Sequence, residues 1–119
     1  LSEIKKLIVV FHYAEKIKTN LILTVSLLEV LSDMEDFEVV GAEKILNVYL
    51  NALIGEVNIA ASASGVHDFQ IVKDKLMEVI EQIKGRNYAN ALKIISEAVS
   101  MTTTNAHQAA ETLGEKGLI

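Results

Sequence analysis

Three residues in this chain have the chemistry to hold a metal ion together: His12, Glu56 and His107. At 1.5 Å per residue, His12 would lie about 15 Å from the start of a first helix and His107 about 10 Å from the end of a last one. An up-down bundle puts those two ends side by side. Glu56 falls at a similar height, on a heptad line with Tyr49, Leu53 and Ala60, and bundle interiors host metals on Glu and His. The order within HYAE, His12 then Glu15, reverses the Glu-x-x-His motif of di-iron bundles. His12 also shares a polar face with Lys5, Lys16 and Thr19. The favoured reading is therefore surface histidines and a glutamate at the end of the core, with no cofactor; a metal or small-ligand bundle using these three residues is the rival.

Other chemistry is sparse. Glu29, Asp33, Glu35, Asp36, Glu38 and Glu43 crowd one short stretch, but without the alternating spacing and glycine of a calcium loop. Such charge suits helix capping and the helix dipole, or a basic partner surface. There is no Gly-rich phosphate loop, nucleophile elbow or pair of catalytic carboxylates, so no enzymatic activity is supported. The absence of cysteine excludes disulfides, thiolate zinc sites and cysteine nucleophiles, and favours a cytoplasmic setting. A net charge of -5 and a pI near 5.1 argue against nucleic acid as partner. The uncharged run between Lys18 and Glu29 is far short of the roughly 20 residues that span a bilayer, so no membrane partner is expected. The chain opens on Leu1 rather than Met and carries no information on a targeting segment upstream.

The run AHQAAETLG around His107 resembles the helix of phosphotransfer domains, in which an exposed histidine on a four-helix bundle accepts a phosphoryl group. That family has lysine three residues after the histidine and glycine four after. Here those positions are Ala110 and Glu111, and a carboxylate repels the developing phosphoryl charge.

The elements that must position these residues are helices. No proline occurs in 119 residues, and apolar positions recur at helical spacing over four segments, about 2–32, 38–64, 67–84 and 87–113. The first stripe runs Leu7, Val10, Ala14, Ile17, Leu21, Thr24, Leu28, Leu31. Its continuity favours helix over strand for the apolar run Leu7 to Phe11. Ser2 is placed to cap the first helix, His67 or Asp68 the third, and Asn87 the fourth. Gly65, Gly85 and Gly114 each follow a helical stretch, where a left-handed terminal residue is expected. Short linkers make successive helices antiparallel, so residues 1–119 should form one domain, an all-α, antiparallel up-down four-helix bundle.

Gly85, Tyr88, Ala91, Leu92 and Ala98, within KGRNYANALKIISEAV, resemble the turn of tetratricopeptide-like helical hairpins and of small uncharacterised archaeal helical-bundle domains. The resemblance implies a tight hairpin between the third and fourth helices. It stops there: Leu76 to Glu81 has no matching glycine and tyrosine, and there is no second repeat, where a solenoid needs about three.

The second helix has two apolar faces. One carries Ala42, Leu46, Tyr49, Leu53 and Ala60; the other carries Ile45, Val48, Ala52, Gly55 and Ile59. A bundle this small buries one face of each helix well, so the second face predicts an interface. The hydrophobic fraction of 50% fits a spare apolar surface. Uncharged polar residues form two further stripes, Asn47, Asn51 and Asn58 on the second helix and Ser100 and Thr103 on the fourth, which suit a hydrogen-bonded seam. The expectation is a non-enzymatic interaction or assembly module, a homodimer or a subunit binding a protein partner.

Overall fold

The computed structural model describes residues 2–119 as four helices, α1 (Ser2–Ser32), α2 (Asp36–Ser64), α3 (His67–Lys84) and α4 (Tyr88–Glu115), with no strand among the described residues. They form an antiparallel four-helix bundle measuring 54 × 21 × 18 Å. Ties between neighbours set the directions: Asn20 of α1 meets Tyr49 of α2, Asn58 of α2 meets Lys73 of α3, and Asp68 of α3 meets Asn105 of α4. The helices pack in ring order, α1 against α2, α2 against α3, α3 against α4 and α4 back against α1.

The stripes explain the core. Val10, Ala14, Ile17, Leu21, Thr24, Leu28 and Leu31 are buried along α1, as are Phe69, Val72, Leu76, Val79 and Ile83 along α3. Leu7 to Phe11 is helical. Each fully buried large aliphatic side chain contributes about 1.5–3 kcal/mol. On α4 the buried line is small, with Ala91, Ala98, Ala106 and Ala109 around Ile95 and Leu113, and α1 makes its most extensive packing there.

Helix ends depart from the glycine expectations at two places. Gly65 is left-handed as expected, at φ 69°, and its N–H donates to Ala61 O. Gly85 is not, at φ -84°; Arg86 takes the left-handed position at φ 58°. Gly114 does not close α4, because Leu113 is still buried against the core and the helix continues to Glu115; Gly117, at φ 72°, makes the reversal. α2 starts two residues earlier than the stripe implied. Glu35 is its N-cap, and the Glu35 N–H donates to the Glu38 carboxylate at 3.1 Å.

Neither His67 nor Asp68 caps α3. The N-cap is Val66, whose N–H donates to the Ser64 hydroxyl at 3.1 Å, while Asp68 accepts from Asn105 Nδ2 at 2.9 Å. Asn87 does stand at the N-cap of α4, though without a side-chain capping bond. The cap expected at Ser2 lies outside the described side chains.

Candidate interaction surface

Helix α2 divides its apolar residues between two faces because 3.6 residues per turn sends the two stripes in opposite directions. Leu46, Leu50, Leu53, Val57 and Ala60 point inward and are buried, whereas Ala42 and Tyr49, placed on the inner face from the sequence, are only partly buried at its edge toward α1. The other stripe points away from the bundle: Ile45 is 75%, Val48 71% and Ile59 58% exposed, and Ala52 and Gly55 between them are exposed too. Among the described residues, no other helix covers this face. By length and composition α2 is apolar enough to cross a membrane, at a mean hydropathy of 1.2.

The surface continues onto α1. Leu23, Leu27 and Val30 are exposed beside it, and with Met34, Ala42 and Tyr49 they line an apolar groove of about 300 Å³ between α1 and α2. These α1 residues were missed from sequence because the strong core stripe dominates the periodicity. The signal was present, since Leu23, Leu27 and Val30 keep four- and three-residue spacing off the core line. Among the described residues, of the large hydrophobics exposed within helices α3 contributes Met77 alone and α4 none, so the apolar surface belongs to the α1–α2 side.

A polar seam joins these two helices below the groove. The Tyr49 hydroxyl donates to Asn20 Oδ1 at 2.9 Å, and the buried Thr24 hydroxyl donates to Asn20 O at 2.8 Å. Burial pushes the Tyr49 phenol above its usual range, the neighbouring Thr24 hydroxyl opposes this, and the nearby Glu56 charge adds to it. Lys16 Nζ lies 3.0 Å from Glu56 Oε1, an ion pair outside hydrogen-bonding geometry that leaves that oxygen without a hydrogen bond. At the opposite edge of α2, Glu43 accepts from the Tyr88 hydroxyl and lies 3.9 Å from Arg86 Nε. Burial first, then Glu43, pushes the Tyr88 phenol up to about 12.

The three metal candidates sit apart in role. His12 is exposed on α1, its ring edge-to-face with Tyr13. His107 is exposed on α4, with Nε2 3.4 Å from Glu111. Glu56 is taken by Lys16. Among the described residues, no group of three His, Cys, Asp or Glu side chains converges as metal ligands would.

The polar stripes lie on separate surfaces. Asn47, Asn51 and Asn58 are exposed, with Asn51 Nδ2 donating to Asn47 O at 2.9 Å and Asn58 Oδ1 accepting from Lys73 at 3.4 Å. Ser100 and Thr103 are exposed on α4, diagonally across the ring from α2, so the two stripes do not meet within one chain. Comparison with known proteins finds no matching family model, no matching curated protein and no matching solved structure.

Proposed function

We propose that this protein is a non-enzymatic helical assembly module that associates with a second copy of itself through the outward face of α2. The observation that carries the reading is the stripe Ile45, Val48, Ala52, Gly55 and Ile59, apolar along its length and exposed to solvent. Contiguous apolar surface on a small protein marks an interaction site, because leaving it in water forgoes about 25 cal/mol for every Å². The face suits a helix in particular, since small residues at its middle let a partner's backbone come close while larger ones flank it.

Sedimentation equilibrium at micromolar concentration tests the reading. The expected mass is twice the 13.0 kDa of one chain, falling to 13.0 kDa in Ala52→Glu with unchanged helical circular dichroism. A wild-type mass of one chain, or an Ala52→Glu protein that still pairs, refutes it.

A further inference from the structure

The outward face of α2 carries four large and four small residues in an order that fits its own reverse. From the N-terminal end the exposed positions read Phe37, Gly41, Ile45, Val48, then Ala52, Gly55, Ile59, Ala63. Their spacing is the same read in either direction. Laid antiparallel about position 50, Phe37 meets Ala63 of a second α2, Gly41 meets Ile59, Ile45 meets Gly55 and Val48 meets Ala52. Every large side chain then faces a small one, as close helix packing requires. Laid parallel and in register, like meets like: isoleucine abuts isoleucine and glycine leaves a gap opposite glycine.

The glycines themselves point outward. Glycine is the poorest helix former after proline, and Gly41 and Gly55 lie within α2. A Cβ built on either meets nothing within 4 Å, so packing inside the chain does not require them. A partner helix seating an isoleucine against the bare backbone does.

Charge and area agree. The linker end of the α1–α2 layer carries Glu29, Asp33, Glu35, Asp36 and Glu38, all exposed. The opposite end, where α1 begins, exposes Lys5 and Lys6 beside Glu3, which leaves it net positive. An antiparallel pair lays the acidic end of one copy along the basic end of the other, whereas a parallel pair stacks the acidic ends. The stripe from Phe37 to Ala63 is about 39 Å long at 1.5 Å per residue. With α1 beside α2, two helix widths of about 10 Å give about 800 Å² per copy, the share that a stable dimer of standard size buries.

We infer that two copies pair antiparallel through α2, crossing near position 50, with Ile45 of one chain seated on Gly55 of the other and Ile59 on Gly41. The inference rests on the self-association proposed above and adds its direction and register.

The absence of cysteine makes the test clean. Single variants Ile45→Cys and Gly55→Cys are oxidised separately and as a mixture, with sedimentation confirming that each still pairs. In the antiparallel register two copies of residue 45 stand about 15 Å apart along the axis, beyond the roughly 7 Å between Cα atoms that a disulfide tolerates. The expected result is a disulfide-linked dimer in the mixture and none in either variant alone. Gly41→Cys with Ile59→Cys repeats the test, should bulk at position 55 weaken pairing. Cross-linking of Ile45→Cys by itself, or an associated pair that cross-links in neither mixture, overturns the register but leaves self-association standing. A wild-type protein that sediments as one chain overturns both.

Discussion

Replacing Gly41 and Gly55 together by alanine should make the single chain more stable and the pair weaker. Each glycine lies inside α2 with a negative φ and open space where a Cβ would go. Alanine there is worth about 1 kcal/mol per site through helix propensity alone. Two sites add about 2 kcal/mol, or roughly 8 °C in Tm for a chain of this size. Association behaves oppositely, because the helix is already formed on both sides of that equilibrium and propensity cancels. What remains is the steric term: two new methyl groups per chain where the partner's isoleucines seat. Overpacking of this kind costs about 1–3 kcal/mol per site, and even about 2 kcal/mol in all weakens association on the order of 30-fold. Thermal unfolding at a concentration low enough to keep the chains apart measures the first effect, and sedimentation equilibrium the second. A fall in the single chain's Tm would show that the fold itself needs these glycines. An unchanged dissociation constant would show that they do not face a partner. Either result refutes the reasoning.

The same exchange at Gly65 should have the opposite effect on the single chain. Gly65 sits at φ 69°, where alanine costs about 1–2 kcal/mol of backbone strain, so Gly65→Ala is expected to lower the urea midpoint. Tyr88 predicts a loss of stability in alkali. Burial and Glu43 raise its phenol to about 12, so the folded chain keeps a proton that the unfolded chain releases near 10. That contribution is whole below pH 10 and is lost as pH rises through 12. Denaturant midpoints between pH 9 and 12 should fall in wild type and fall less in Tyr88→Phe, the remainder reflecting Tyr49. Equal slopes in the two proteins would exclude the assignment.

How far the sequence could be read depended on whether one face or two decided the matter. Phe69, Val72, Leu76, Val79 and Ile83 form a single apolar line, and α3 has the bounds that this line implied. α4 was harder. Tyr88, Leu92, Ile95 and Val99 keep helical spacing, yet of these Tyr88, Leu92 and Val99 are only partly buried, while Ala91, Ile94 and Ala98 join Ile95 in the interior, because alanine gives little hydrophobic signal yet admits α1 closely. Helix ends failed where a tertiary partner outweighed local chemistry. Gly114 had the right residue type for a stop, but Leu113 still had a core to fill. The outward stripe of α2 was legible because it repeats as cleanly as the inner one. Its extension to Phe37, Gly41 and Ala63 needed the earlier helix start and the exposure of each side chain.

The most extensive packing in the bundle joins its first and last helices, which places a condition on how the chain folds. α2, α3 and α4 can form two successive hairpins from neighbouring segments, through contacts of short sequence separation. The inward stripe of α1, from Val10 to Leu31, finds its main partner only in the alanine line of α4, the last of the four helices to be made. During synthesis, therefore, α1 waits with its apolar line open until α4 has left the ribosome, and that interval is when it is most exposed to aggregation. A circular permutant joining the end of α4 to the start of α1, which lie side by side in the antiparallel ring, would remove the wait by making α4 and α1 a local hairpin.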